Sequence, residues 1–225
     1  MESGETRSVR RSFEEHLRGL QENVLRMGAA VEEMVHRAVD ALRQGDVEAG
    51  DRLELLDDVV DQYNIDIENE CLHLLALQQP MARDLRAIAA AMKIISDIER
   101  VGDYAVDVAK TAAKLAEQPL FKPLVDIPRM GQLVQEMLRE ALEGFVNRDL
   151  ERIQRMIQAD DAVDRLNRQL HDELVTWIER DPSVARQAVW LILVARYLER
   201  MADHITNIGE RVYYMETGSL RELHD

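Results

Sequence analysis

Apolar residues recur every three or four positions through most of this chain, the spacing of one buried face on an α-helix. The pattern predicts a first helix from about Phe13 to Arg43, stopped near Gly45 and Asp46. A second runs from about Val47 to Leu77 and is broken by Gln78-Gln79-Pro80; a third continues to about Glu117. The segment QPLFKPLVDIP, with Pro119, Pro123 and Pro128, reads as a linker. Three more helices follow: Arg129 to Asn147, Leu150 to Glu179, and a last one ending near Gly218. Asp181 is the expected N-cap before the last helix, with Pro182 in its first turn. Helices of about 30 residues are rods about 45 Å long. Connections this short join antiparallel neighbours.

The second half repeats the first. DIERVGDYAVDVAK at 97–110 aligns with YLERMADHITNIGE at 197–210, so that Glu99, Arg100 and Asp103 recur as Glu199, Arg200 and Asp203. Upstream, DDVVDQYN at 57–64 aligns with DDAVDRLN at 160–167, and Pro80 and Pro182 punctuate both copies. A repeat of this kind decides the architecture. The predicted fold is all-α: two tandem antiparallel three-helix bundles, at 13–117 and 129–217, joined by a linker at 118–128.

Composition agrees. Hydrophobic residues make up 46% of the 225 positions and aromatics only 4%, which suits long helices with an aliphatic core. The 28 Lys and Arg against 43 Asp and Glu give a net charge of −15. Such a surface repels nucleic acid and anionic lipid, and attracts cations or basic partner proteins. With Cys71 as its one cysteine the chain has no intrachain disulfide, in keeping with a reducing compartment. The first residues, MESGETRSVRRSFEEH, hold no signal-like apolar stretch. The run QAVWLILVA is too short to span a bilayer. A cytoplasmic protein is expected.

One feature works against helix stability. Glu99, Asp103 and Asp107 sit four residues apart, in one column on the same helix, although like charges at that spacing repel. On a helical wheel Ile88, Met92, Ile95, Val106 and Ala113 fall within about 40° of Glu99. Ala188, Ile192, Ala195 and Thr206 surround Glu199 in the same way. A carboxylate inside an apolar stripe costs several kcal/mol unless it is paired or bound to a cation. The second helix offers Asp57 and Asp61, and the fifth Asp160 and Asp164 in the matching place. Facing D/E-x-x-x-D pairs supply four carboxylates, a set suited to hard cations such as Mg²⁺, Mn²⁺ or iron, and to more than one metal where carboxylates bridge. Acids are so abundant here that a single such pair proves nothing; what counts is their recurrence in matched positions of two repeats. Internal salt bridges and an acidic docking face for a partner stay open beside the metal reading. Arg100 and Arg200 point about 100° away from the glutamates beside them.

Other residues invite chemistry less. Glu33 with His36 and Glu70 with His73 have the spacing of di-iron ligands. They do not correspond across the repeats, and they read as solvated surface. His204 stands where the first copy has Tyr104, and reads as a helix-face histidine. Cys71 matches Leu174 and reads as a buried apolar thiol. No phosphate-binding glycine loop and no nucleophile–base set is present.

QQPMARDLRAIAAAMKIISDIERVGDYAVDVAK resembles the signature of the PhoU family of phosphate-signalling regulators. The likeness extends over about 13–217, with DLR after the proline, KI before the acids, and ERVGD itself. It implies two three-helix bundles with divalent or trivalent metal ions (Mg, Mn, Fe or Zn) at the D/E-x-x-x-D motifs. By position these are Asp57, Asp61, Glu99 and Asp103, then Asp160, Asp164, Glu199 and Asp203, with Asp107 the weakest assignment. The second copy departs from the first at Ala202, His204 and Asn207, which leaves its site with fewer acids. The resemblance also implies a homodimeric negative regulator that acts with a Pst-type phosphate ABC transporter and a sensor histidine kinase. Membrane association would then be peripheral, through those partners. The competing class is a carboxylate-bridged metalloenzyme acting on phosphate esters or oxygen species. No basic cluster for phosphate is visible near the acids in the sequence, which favours the regulator.

Overall fold

The computed structural model describes residues 2–78 and 80–219, with side chains from residue 13 onward except at 77 and 78. Six helices follow one another: α1 (Glu2–Gln44), α2 (Ala49–Gln78), α3 (Ala82–Leu115), α4 (Asp126–Asn147), α5 (Leu150–Arg180) and α6 (Ala185–Thr217). Helices α1 to α3 pack on one another, α4 to α6 do the same, and α3 lies against α6 and α1 against α4. The all-α, two-bundle fold is as the periodicity predicts.

The boundaries differ where apolar spacing carries no information. Helix α1 begins at Glu2 rather than near Phe13, because the charged residues before Phe13 have no apolar stripe to reveal a helix. Helix α4 begins at Asp126, so Pro128 sits in its first turn and not in the linker. Proline is tolerated there because the first turn has no hydrogen bond for its missing N–H to make. Gln79, part of the predicted break, lies outside the described residues. Asp181 caps as expected. Its carboxylate accepts from the Ser183 N–H at 3.0 Å and starts a 3-10 turn, Pro182–Val184, that leads into α6. Asp149 caps α5 through the N–H of Glu151 at 2.9 Å.

The two copies face each other reciprocally. A Cβ at Gly28 on α1 would stand 2.0 Å from Leu142 on α4, and one at Gly131 on α4 would stand 2.6 Å from Val39 on α1. Gly28 and Val39 correspond to Gly131 and Leu142, so this is one contact made twice. Helices α3 and α6 repeat the relation. Asp97 meets His204, and their counterparts Tyr197 and Tyr104 meet with ring centroids 5.9 Å apart. Such exchange of equivalent contacts is the mark of a twofold interface, here contained in one chain. The apolar core runs unbroken through both bundles, from Leu20, Met27 and Ile67 to Phe145, Leu166 and Leu191.

The glycines of α1 provide a test with opposite signs. Gly28→Ala should destabilise the protein by about 1–3 kcal/mol through overpacking against Leu142. At Gly19 the nearest atom to an added Cβ, Glu70 Oε1, is 3.7 Å away. Gly19→Ala should therefore stabilise, by up to about 1 kcal/mol of helix propensity. Urea unfolding of both variants checks the pair.

Candidate metal centre

In the first bundle the acids come from α2 and α3, whose facing surfaces bring Asp57, Asp61, Glu99 and Asp103 into one electrostatic group. The Asp57 carboxyl is pushed up from 3.8 to about 6, chiefly by burial and then by the charges of Asp103, Asp61 and Glu99. Burial, with Asp61 and Asp103, raises Glu99 as well. Asp57 Oδ1 is buried and, among the described residues, has no hydrogen-bond partner. It packs against Gly102, where an added Cβ would lie 3.2 Å from it. Asp107, one turn beyond Asp103, joins this group only through the charge of Asp103. Burial raises its pKa while Lys110 opposes the shift.

In the second bundle Glu199 is only 9% exposed. Its carboxyl is raised by burial first and by Asp203 and Asp164 after that, with Arg196 working the other way. Asp164, Glu199 and Asp203 thus come together across α5 and α6. Asp160 lies one turn before Asp164 and is half-buried. Glu199 Oε2 is buried without a hydrogen-bond partner among the described residues.

Arginines take up part of this charge. Arg100 and Arg200 do not turn to the glutamates beside them but reach the next turn, to Asp103 at 2.8 Å and Asp203 at 3.2 Å. Arg196 pairs with Glu199, and Arg168 approaches Asp164 at 3.4 Å. The salt-bridge reading is therefore realised in part, most fully in the second copy. Asn64 donates to Glu99. Its signal was in the sequence, since the repeated octet closes on Asn64 and Asn167, but an amide carries no charge to draw attention.

The donor set suits a hard cation. It is all oxygen, it crowds like charges, and each bundle holds one buried carboxylate oxygen lacking a donor. Among the described residues no three Asp, Glu, His or Cys side chains already converge in metal-binding geometry. Asp103, Glu199 and Glu99 are engaged by Arg100, Arg196 and Asn64, contacts that a bound ion would have to replace.

The sequence also hid the cations. A cavity of about 550 Å³ between the bundles is lined by Glu54, Asp57, Asp103 and Asp107, and equally by Arg100, Lys110, Arg200 and His204. Arg200 and His204 come from the opposite copy, which linear reading could not bring near. Each cation is engaged: Lys110 holds Glu54 at 2.6 Å, and Arg200 reaches both Asp203 and the Tyr104 hydroxyl. His204 does not join the acids of its own site; its Nδ1 meets Asp97 at 2.9 Å, beside Asn207, which donates to the same oxygen at 3.2 Å. Asn207, standing where the first copy has Asp107, thus serves the bundle interface.

The remaining candidates separate. Glu33 pairs with Arg37 on the surface, while Glu70 accepts from Asn23 at 3.1 Å. Cys71 is buried, its thiol pushed up to about 12 mainly by desolvation, and is inert.

The sequence pattern of the PhoU domain matches residues 24–112 and again 127–212. The chain belongs to the PhoU family. A PhoU homologue of Deinococcus radiodurans is 39% identical over 211 residues, covering 94% of this chain and 99% of that one. Another from Clostridium acetobutylicum is 35% identical and covers 96% and 100%. Both are named phosphate-specific transport system accessory proteins. The crystal structure of PhoU from Pseudomonas aeruginosa superposes with a TM-score of 0.87 at 36% identity, over 92% of this chain and all of that one. PhoU from Streptococcus pneumoniae gives 0.82 at 30% identity, over 93% of this chain and 99% of that one.

The raised Asp57 carboxyl makes this PhoU protein's metal-free stability depend on pH. Between 3.8 and about 6 the folded state holds a proton that the unfolded state has released. That contribution is complete below the lower value and lost as pH rises through the upper one. Metal-free protein should therefore lose stability between about pH 4 and pH 6, and Asp57→Asn should flatten the fall, read by thermal melts across that window.

Proposed function

We propose that this chain is a non-catalytic, metal-binding accessory regulator of phosphate transport. It restrains phosphate uptake and the phosphate-starvation response through a phosphate ABC transporter and a sensor histidine kinase. Family membership along nearly the whole chain carries the reading, since the relatives are named accessory proteins of the phosphate-specific transport system. The PhoU family is one of regulators rather than enzymes. The chain works as a homodimer at the cytoplasmic face, held at the membrane by its partners. No helix among the described residues is long and apolar enough to cross a membrane, which is consistent with such attachment.

Asp57, Asp61, Glu99 and Asp103 would hold the first ion, with Asp107 at its margin; Asp160, Asp164, Glu199 and Asp203 would hold the second. Supporting this are the matched repeats, the buried oxygens without donors and the all-carboxylate chemistry. The ion, whether magnesium, manganese, iron or zinc, would relieve the repulsion among these acids. It would also fix α2 to α3 and α5 to α6.

A metalloenzyme acting on phosphate esters or oxygen species is the second reading. It gains from the cavity in which Arg100, Lys110 and Arg200 stand beside the acids. Phosphatase and peroxidase assays on metal-loaded protein should show no turnover; turnover lost in Asp57→Asn would favour the enzyme.

Metal at about a hundredfold excess over its Kd should add about 2.7 kcal/mol of stability, a rise of roughly 5–10 °C in Tm for a chain of this size. Glu99→Ala with Asp103→Ala should remove the first site's share and its metal, read by calorimetry with elemental analysis. Undiminished metal content in that double variant would overturn the assignment. In the source cell, deletion should leave phosphate-starvation genes active in phosphate-rich medium, read by transcript levels.

A further inference from the structure

The two copies agree in fold but not on the outer face of their second helix. On α2, Leu55 is 68% exposed, Val59 49%, Ile65 52% and Leu72 50%. They lie on the side away from the helix's own buried residues Leu53, Val60, Ile67 and Leu74. At 3.6 residues per turn the four form a stripe about 140° wide over nearly five turns. The matching positions on α5 are Gln158, Ala162, Arg168 and Val175, of which only Val175 is an exposed large aliphatic. The same place in the same fold thus carries four exposed aliphatics among its polar residues in one copy and one in the other. Single apolar residues on a surface need no explanation, but four large aliphatics on one helix face, where the matching helix has one, call for a cover.

Charge selects what covers it. Asp51, Asp58, Asp66 and Glu68 are exposed among and beside the aliphatics. Arg52 is the one Lys or Arg on α2, and it is engaged with Asp46 and with Glu48 at 3.4 Å. A second copy laid α2 to α2 would set acids against acids, and an anionic membrane is repelled by the same charges. We propose that the outer face of α2 is a docking surface for a basic amphipathic helix of a partner protein. The partner's apolar residues lie over Leu55, Val59, Ile65 and Leu72, and its Lys or Arg residues lie against Asp51, Asp58, Asp66 and Glu68. This is helix-on-helix recognition with apolar anchors and a charged rim. It does not depend on the metal.

The test uses the full chain and a fluorescein-labelled helical peptide of leucine and lysine, about 20 residues long, with leucines at three- and four-residue spacing. Anisotropy should show saturable one-to-one binding. Leu55→Ser with Ile65→Ser, which keeps every charge, should weaken it at least about tenfold. Val175→Ser on α5 and Val189→Ser on α6 should leave it unchanged, as should melting temperature in all variants, since the sites are exposed. A peptide with glutamate in place of lysine should not bind. Equal binding by the Leu55→Ser, Ile65→Ser variant would reduce the effect to charge attraction and overturn the proposal. So would equal binding of the glutamate peptide. If that double variant instead turns a dimer into a monomer in sedimentation, a second copy covers the face. If it abolishes binding to vesicles of neutral lipid, a membrane does; either result overturns the proposal.

Discussion

The structure depends on the closeness of its two halves. Gly28 and Gly131 let α1 and α4 approach until Leu142 and Val39 occupy the space where side chains would stand. That approach fixes the separation of the bundles, and with it the register of α3 against α6. Asp97 can then reach His204, Tyr104 can stack on Tyr197, and Arg200 can cross to the first copy's Tyr104. A Cβ at either glycine would meet Leu142 or Val39 and force that side chain to shift. The twofold relation that most proteins build from two chains is here covalently enforced, so the interface forms without an association penalty.

Within that frame the acids have two opposed tendencies. Burial and like charge raise Asp57, Glu99 and Glu199. Arginines one turn away, and the amide of Asn64, engage Asp103, Asp203, Glu199 and Glu99 and offset part of that charge. Exposed pairs such as Arg100 with Asp103 are worth little in free energy.

The copies have diverged in use while keeping one geometry. The turn between first and second helices is left-handed in both, with glycine at Gly45 and a non-glycine at Arg148, whose side chain holds Glu216 at 2.8 Å. Asp107, the third acid of the column on α3, is matched by Asn207, which serves the interface instead. The second helix exposes four large aliphatics among its polar residues in one copy and one in the other. The core positions stay apolar in both copies, as where buried Cys71 is matched by buried Leu174, while the changes in chemistry lie at surfaces and at the acids.

The apolar spacing determined by itself that the chain is six helices in two related bundles, because burial of one face is written at every third or fourth residue. It also marked the acids, since carboxylates inside an apolar stripe are conspicuous against that spacing. It did not reveal the start of α1 or of α4, where no apolar stripe exists and a proline resembles a linker. Tertiary structure alone decided the rest. Arg200, His204 and Tyr197 come from 100 residues away, and their meeting with Tyr104 and Asp97 depends on how the bundles dock. Whether an arginine beside a glutamate serves it or the next acid along is a matter of rotamer and burial, which periodicity does not encode. The two glycines that permit the docking look in sequence like minor defects in good helices. Their role lies in what stands opposite them, and no single helix carries that information.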